Sequence, residues 1–277
     1  MLHKMADQLD STTNPTNPTN PNSPNSPTSP TSPTSPTSPT NPTNSHAHVA
    51  SASPNAEKSD TTDTSLVYNC QNPKAIVLAF HGGCFMHGHA GWDAKQNTML
   101  ASMHFKVHQL AFPKNYKAWQ AWAKAFCWQA ILPKHQNNDN GGHGVKVVCL
   151  GRSSGGYLAC MFAAMHVDHI DKLILMAPVL DPQKRASILT QFKANTDLFF
   201  ASRDDSDSCD SCEVIWPASF DPAKTLLLLA GKDENVPAWM FTTKQINQAV
   251  FPGPVGHVAL LGCTSGRLKQ IIQDFMG

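Results

Sequence analysis

The sequence predicts an α/β fold: a mostly parallel central sheet of about six to eight strands, with helices on both faces and no large cap domain. Three observations predict it. Beyond about Ser65, short apolar runs alternate with helical patterns, the rhythm of strands joined by crossover helices. Ala75 to Phe80 is apolar throughout and is followed by His81-Gly82-Gly83. Val145 to Leu150 runs into the helix-like stretch Tyr157 to Met165 through Gly151-Arg152-Ser153-Ser154-Gly155-Gly156, so one serine separates a strand from a helix.

The chain has 277 residues, but residues 1–64 cannot build a core. Proline recurs at every third position from Pro15 to Pro42 in Asn-Pro-Thr, Asn-Ser-Pro and Thr-Ser-Pro units, with almost no apolar side chain between. Period three matches the polyproline II turn, and the lack of a glycine at every third place rules out collagen. This low-complexity arm reads as an extended tether; without flanking arginine or aromatic residues, its PxxP spacing is weak evidence for docking. The folded domain is expected over residues 65–277.

Each element of that domain has its own signal. Ala75 to Phe80 is the first core strand, and Trp92 to Met103 has helical spacing. Val107 to Phe112 is the next strand. Trp119, Trp122, Ala123, Phe126 and Ala130 then share one face of a helix expected to end before Pro133. A loop over Asn137 to Gly144 leads into the strand that carries Ser153. Leu173 to Leu180 and Thr225 to Ala230 are further strands, and the Ala249 to Phe251 region supplies a short last one. Between Asp181 and Pro222, a helix near Ile188 to Lys193 and the acidic loop Arg203 to Glu213 form a candidate lid over 182–222. Ile271, Ile272 and Phe275 mark a closing helix.

The strand–serine–helix turn is where chemistry is expected. Its register selects Ser153 as the nucleophile, with glycines two places either side allowing strand and helix to approach. A serine nucleophile needs a base for its proton and a carboxylate to hold that base. Asp233 follows the Thr225 to Ala230 strand, where a parallel sheet presents its functional loops. His257 follows in the Gly/Pro-rich loop Gly253-Pro254-Val255-Gly256. Asp181, which also ends a strand, is the rival acid. The oxyanion of an acyl-transfer intermediate needs preorganised donors, and the backbone N–H groups of Gly82, Gly83 and Ser154 are the candidates.

On His81-Gly82-Gly83, Gly151-Arg152-Ser153-Ser154-Gly155-Gly156, the Asp233 loop and Gly256-His257, the chain resembles the α/β-hydrolases. Within them it is similar to small esterases with an HGG oxyanion loop, the hormone-sensitive-lipase-like and kynurenine-formamidase-like enzymes. The resemblance covers roughly Ala75 to Gly277. It implies a serine carboxylesterase acting on small esters through an acyl-enzyme on Ser153. An amidase or exopeptidase on the same triad is the alternative, and a non-catalytic binding module with this fold is the alternative of another class. Two departures stand out: Cys84 replaces the third glycine of a full HGGG loop, and Phe85 stands where formamidases carry tryptophan.

Composition narrows the partners. A formal net charge of +1 gives no field for nucleic acid or anionic membranes, so a small-molecule ester is the expected partner. No stretch approaches about 18 unbroken apolar residues, and the N-terminus lacks an apolar leader, so a soluble cytoplasmic protein is expected. Its eight cysteines are scattered through expected strands and helices, which favours reduced thiols. Neither cofactor nor metal is expected. Cys209-Asp210-Ser211-Cys212 has no second ligand pair, and His87, His89, His166 and His169 read as solvated loop residues.

Overall fold

A computed structural model describes residues 65–132, 145–203, 221–236 and 247–277. The arm, the Asn137 to Gly144 loop and most of the acidic loop lie outside the described residues. Seven strands form one sheet: β1 (Leu66–Tyr68), β2 (Ala75–Phe80), β3 (Phe105–Gln109), β4 (Lys146–Arg152), β5 (Lys172–Met176), β6 (Thr225–Ala230) and β7 (Asn247–Phe251). Their spatial order is β1-β3-β2-β4-β5-β6-β7. Only the three-residue β1 runs antiparallel, against β3. All other neighbours are parallel. The expected fold is therefore the observed one, and no large cap is evident among the described residues.

This strand order fixes where a site can form. The chain steps from β2 outward to β3, then returns to place β4 on the other side of β2. Right-handed crossovers in opposite directions put their helices on opposite faces. The buried side chains agree. Met99 and Leu100 of α1 (Ala94–Ser102) pack with Ala75, Val77 and Ala79 on one face, together with Leu268 and Ile272 of α7 (Gly266–Met276). Trp119 of α2 (Tyr116–Lys124) and Leu158 and Phe162 of α3 (Ser154–Met165) pack with Ile76, Leu78 and Phe80 on the other. The crevice where the crossovers diverge lies at the carboxyl ends of β2 and β4, the place where open parallel sheets bind ligands.

Four element boundaries differ from the sequence reading. The helix through Trp119 stops at Lys124, and a 3₁₀ turn over Trp128–Ala130 follows. This turn buries Trp128 and leaves Ala130 exposed, because the indole brings far more apolar area to α3 than a methyl group. Its Nε1–H also donates to His166 Nδ1 at 3.3 Å. β3 begins two residues early, at Phe105, and ends at Gln109, in register with β2. β5 ends at Met176, since Ala177 takes a left-handed φ of 41° and Pro178 has no N–H to donate. The helix expected near Ile188 is two helices, α4 (Pro182–Ile188) and α5 (Lys193–Phe200). Phe199 and Phe200 anchor α5 in the core against Phe85, Tyr116 and Tyr157.

Candidate active site

Ser153 sits where β4 turns into α3, with φ 51° and ψ −123°. Such backbone costs a non-glycine residue about 1–3 kcal/mol and persists only when its surroundings over-determine it. Here they do. The Ser153 N–H donates to the Met176 carbonyl at 3.0 Å, and its own carbonyl accepts from Gly156 at 2.9 Å and Val179 at 2.8 Å. Helix and strand also approach too closely for side chains at the flanking glycines. A Cβ on Gly151 would lie 2.6 Å from the Gly156 Cα, and one on Gly155 would lie 2.4 Å from the His81 carbonyl oxygen.

The loops after β6 and β7 bring Asp233 and His257 to the same place. Gly231 and Lys232 donate to the carbonyls of Phe251 and Val255, lashing the two loops together. Asp233 Oδ1 accepts from the N–H groups of Asn235 at 2.9 Å and Val236 at 2.7 Å, which orients the carboxylate. Its Oδ2 lies 2.8 Å from His257 Nδ1. His257 opens the short helix α6 (His257–Leu261), and its Nε2 lies 2.9 Å from Ser153 Oγ. All three residues are buried. Asp181 is not part of this line: it caps α4, accepting from the Lys184 N–H at 2.8 Å.

The loop after β2 closes the third side. A Cβ on Gly82 would stand 3.1 Å from the Ser153 Cβ, so this backbone lies directly against the serine. Gly83 has φ +114°, and a Cβ there would lie 2.0 Å from the His87 carbonyl oxygen. Cys84 and Phe85 follow with φ 52° and 68°. This unusual path is held from both sides. The Phe85 N–H donates to Ser154 Oγ at 3.2 Å, and the Phe85 ring stacks on Phe199 with centroids 4.8 Å apart. The Gly82 backbone thus lies against Ser153, which Ser154 follows as the first residue of the twelve-residue α3. The sign of a helix N-terminus favours developing negative charge there.

A model of the alpha/beta hydrolase fold matches residues 77–244, more than half of the chain. The chain belongs to that family. Among solved structures it is similar to a tributyrin phosphonate-inhibited esterase B from Lactobacillus rhamnosis, with 16% identity, TM-score 0.56, and coverage of 78% of this chain and 82% of the other. It is also similar to an acetyl ester-xyloside bifunctional hydrolase from Caldicellulosiruptor lactoaceticus, with 15% identity, TM-score 0.51, and coverage of 76% and 85%. Likeness at these identities concerns the fold. No curated protein matches the chain.

In this member of the alpha/beta hydrolase fold family the elbow rests on a polar cluster that sequence reasoning missed. The Arg152 side chain is wholly buried. Its Nη2 donates to Asn97 Oδ1 at 2.8 Å, its Nε to Gln96 Oε1, and its Nη1 to Asp93 Oδ2 at 3.3 Å. Gln109 joins through Asn97 and returns a bond to the Ala79 carbonyl at 3.0 Å. Burial pushes the guanidinium down from its ordinary range, and Asp93 and Tyr68 oppose that shift. Polar residues at 96, 97 and 109, on elements that otherwise face the core, are the one signal that could have revealed the cluster.

Among the described residues no group of three or more His, Cys, Asp or Glu could hold a metal ion. His166 is engaged by Trp128 and the Ala123 carbonyl, and His89 accepts from the Gly91 N–H. Cys209 and Cys212 lie outside the described residues. No helix among the described residues is long and apolar enough to cross a membrane.

Proposed function

We propose that the chain is a serine hydrolase of small carboxylic esters that works through an acyl-enzyme on Ser153. The observation that carries this reading is the unbroken line Asp233–His257–Ser153, with contacts of 2.8 and 2.9 Å, ending on a serine at a strained strand-to-helix turn. Ser153 Oγ attacks the ester carbonyl while His257 Nε2 takes its proton, and the Asp233 carboxylate stabilises the imidazolium without itself being protonated. The carbonyl oxygen, now negative, accepts from the N–H groups of Gly82, Gly83 and Ser154; one such donor is typically worth about 3–4 kcal/mol in the transition state. His257 then returns the proton to the leaving alcohol as the C–O bond breaks. Water repeats the sequence to release the acid and restore Ser153.

A fluorophosphonate probe tests the reading. It is expected to label the wild type at Ser153 and to leave Ser153→Ala unlabelled, with ester turnover lost about 10⁴-fold or more. Labelling that persists in Ser153→Ala would overturn the assignment.

A further inference from the structure

One buried cation beside this site is only partly paired among the described residues. Arg185, on α4, is 1% exposed. Among the described residues its Nε and Nη2 are buried without a hydrogen-bond partner, while its guanidinium lies 4.0 Å from the centre of the Phe192 ring. The ring covers one flat face and occupies no N–H. Nε and Nη2 carry the two parallel N–H bonds of the guanidinium's side edge, the fork that meets both oxygens of a carboxylate. Arginine cannot escape the cost of burial by losing its proton.

The position of this fork is fixed by its neighbours. α4 begins three residues after Val179, whose N–H binds the Ser153 carbonyl. Burial pushes the guanidinium down from its ordinary range; Cys84, through hydrogen bonding and charge, and the Asp233 carboxylate push it back up. Arg185 therefore meets the oxyanion loop at the residue after Gly83 and lies within the field of the triad acid. Asp233 is not its missing partner. Oδ1 is taken by Asn235 and Val236, and Oδ2 by His257.

We propose that Arg185 is a substrate-binding residue, and that the ester carries a carboxylate which the Nε–Nη2 edge receives. This rests on the serine-hydrolase reading above. A neutral group could accept the two hydrogen bonds but would leave the charge uncompensated. A phosphate dianion would bring a charge and an oxygen beyond what one fork matches. A monoanionic carboxylate supplies two oxygens and one charge, and it converts an unpaired buried ion into a bidentate pair only while substrate is bound.

The experiment compares kcat/KM for charged and neutral isosteres on both arms of the ester: p-nitrophenyl succinate against p-nitrophenyl succinamate, and 3-acetoxypropanoate against 3-acetoxypropanamide. The wild type is expected to favour the anion about tenfold or more in at least one pair, through KM. That preference is expected to vanish in Arg185→Met and to be only partly restored in Arg185→Lys, which keeps the charge but loses the fork. Free succinamate is expected to slow fluorophosphonate labelling of the wild-type Ser153, and succinamide to leave it unchanged, a measurement that needs no variant to fold. Equal rates within both pairs, or a preference that survives Arg185→Met, would overturn the inference while leaving a labelled Ser153 in place. Failure of the probe to label Ser153 would instead remove the hydrolase reading and this inference with it.

Discussion

Arg152 and Arg185 are buried to 0% and 1% exposure around the same serine, yet their surroundings differ in kind. Arg152 is met by Gln96, Asn97, Asp93 and Gln109, so its guanidinium is paired all round. Arg185 has an aromatic ring on one face and, among the described residues, no hydrogen-bond partner for Nε or Nη2. His108 shows a third outcome: it too is buried with its Nε2 unpaired, and burial, helped by Lys106, pushes its pKa down to about 4. A buried base is thus satisfied by neighbours, discharged, or left waiting, and only an arginine can be left waiting at neutral pH. The contrast separates a cation that holds the fold from one kept for a ligand.

Removing Arg152 should produce the largest effect. Arg152→Met strips donors from Gln96, Asn97, Asp93 and Gln109 together, and breaking a buried charged pair from one side costs about 3–5 kcal/mol. Urea denaturation should show that loss, and surviving protein should lose activity, because α1 then no longer braces the residue before Ser153. A loss below about 1 kcal/mol would mean that the cluster is ornamental to the elbow.

His108 should give a smaller effect that depends on pH. Its folded pKa is about 4, against about 6.5 when unfolded. The unfolded chain therefore takes up the proton first, and stability present above pH 6.5 drains away as the pH falls towards 4. The difference corresponds to on the order of 3 kcal/mol. His108→Gln should flatten that part of the curve. Equal acid sensitivity in both proteins, measured as unfolding free energy at pH 7 and pH 4.5, would place the charge change elsewhere.

The contrast also explains what was legible in the sequence. Strand positions, and the meeting of Ser153, Asp233, His257 and Gly82, were readable because apolar runs, turn glycines and loop order are local signals. Boundaries at Ala125 and Ala177 were not, since tertiary packing of Trp128 and the backbone turn at Ala177 decide them. The two arginines were the least legible. Whether the Arg152 guanidinium meets a carboxamide cluster depends on residues up to 59 positions away, and whether Arg185 Nε and Nη2 find partners is likewise decided by tertiary packing. Ser154 was expected for its N–H; its hydroxyl, which holds Phe85 in its left-handed backbone, has no sequence signature.

Arg185 should give the smallest change and the opposite sign. Replacing a buried, unpaired ion by an apolar side chain of similar length removes a desolvation penalty, and such exchanges are neutral or stabilising by about 1–4 kcal/mol. Methionine suits the space, since its sulfur packs well against an aromatic ring such as Phe192. Arg185→Met should therefore melt above the wild type by a few degrees, at about 2–4 °C per kcal/mol for a domain of this size, while Arg152→Met melts below it. Succinamate should raise the melting temperature of the wild type and leave that of Arg185→Met unmoved, because only the wild type has a charge for it to neutralise. If Arg185→Met is instead destabilised as strongly as Arg152→Met, the two arginines are alike, and Arg185 belongs to the scaffold rather than to the substrate.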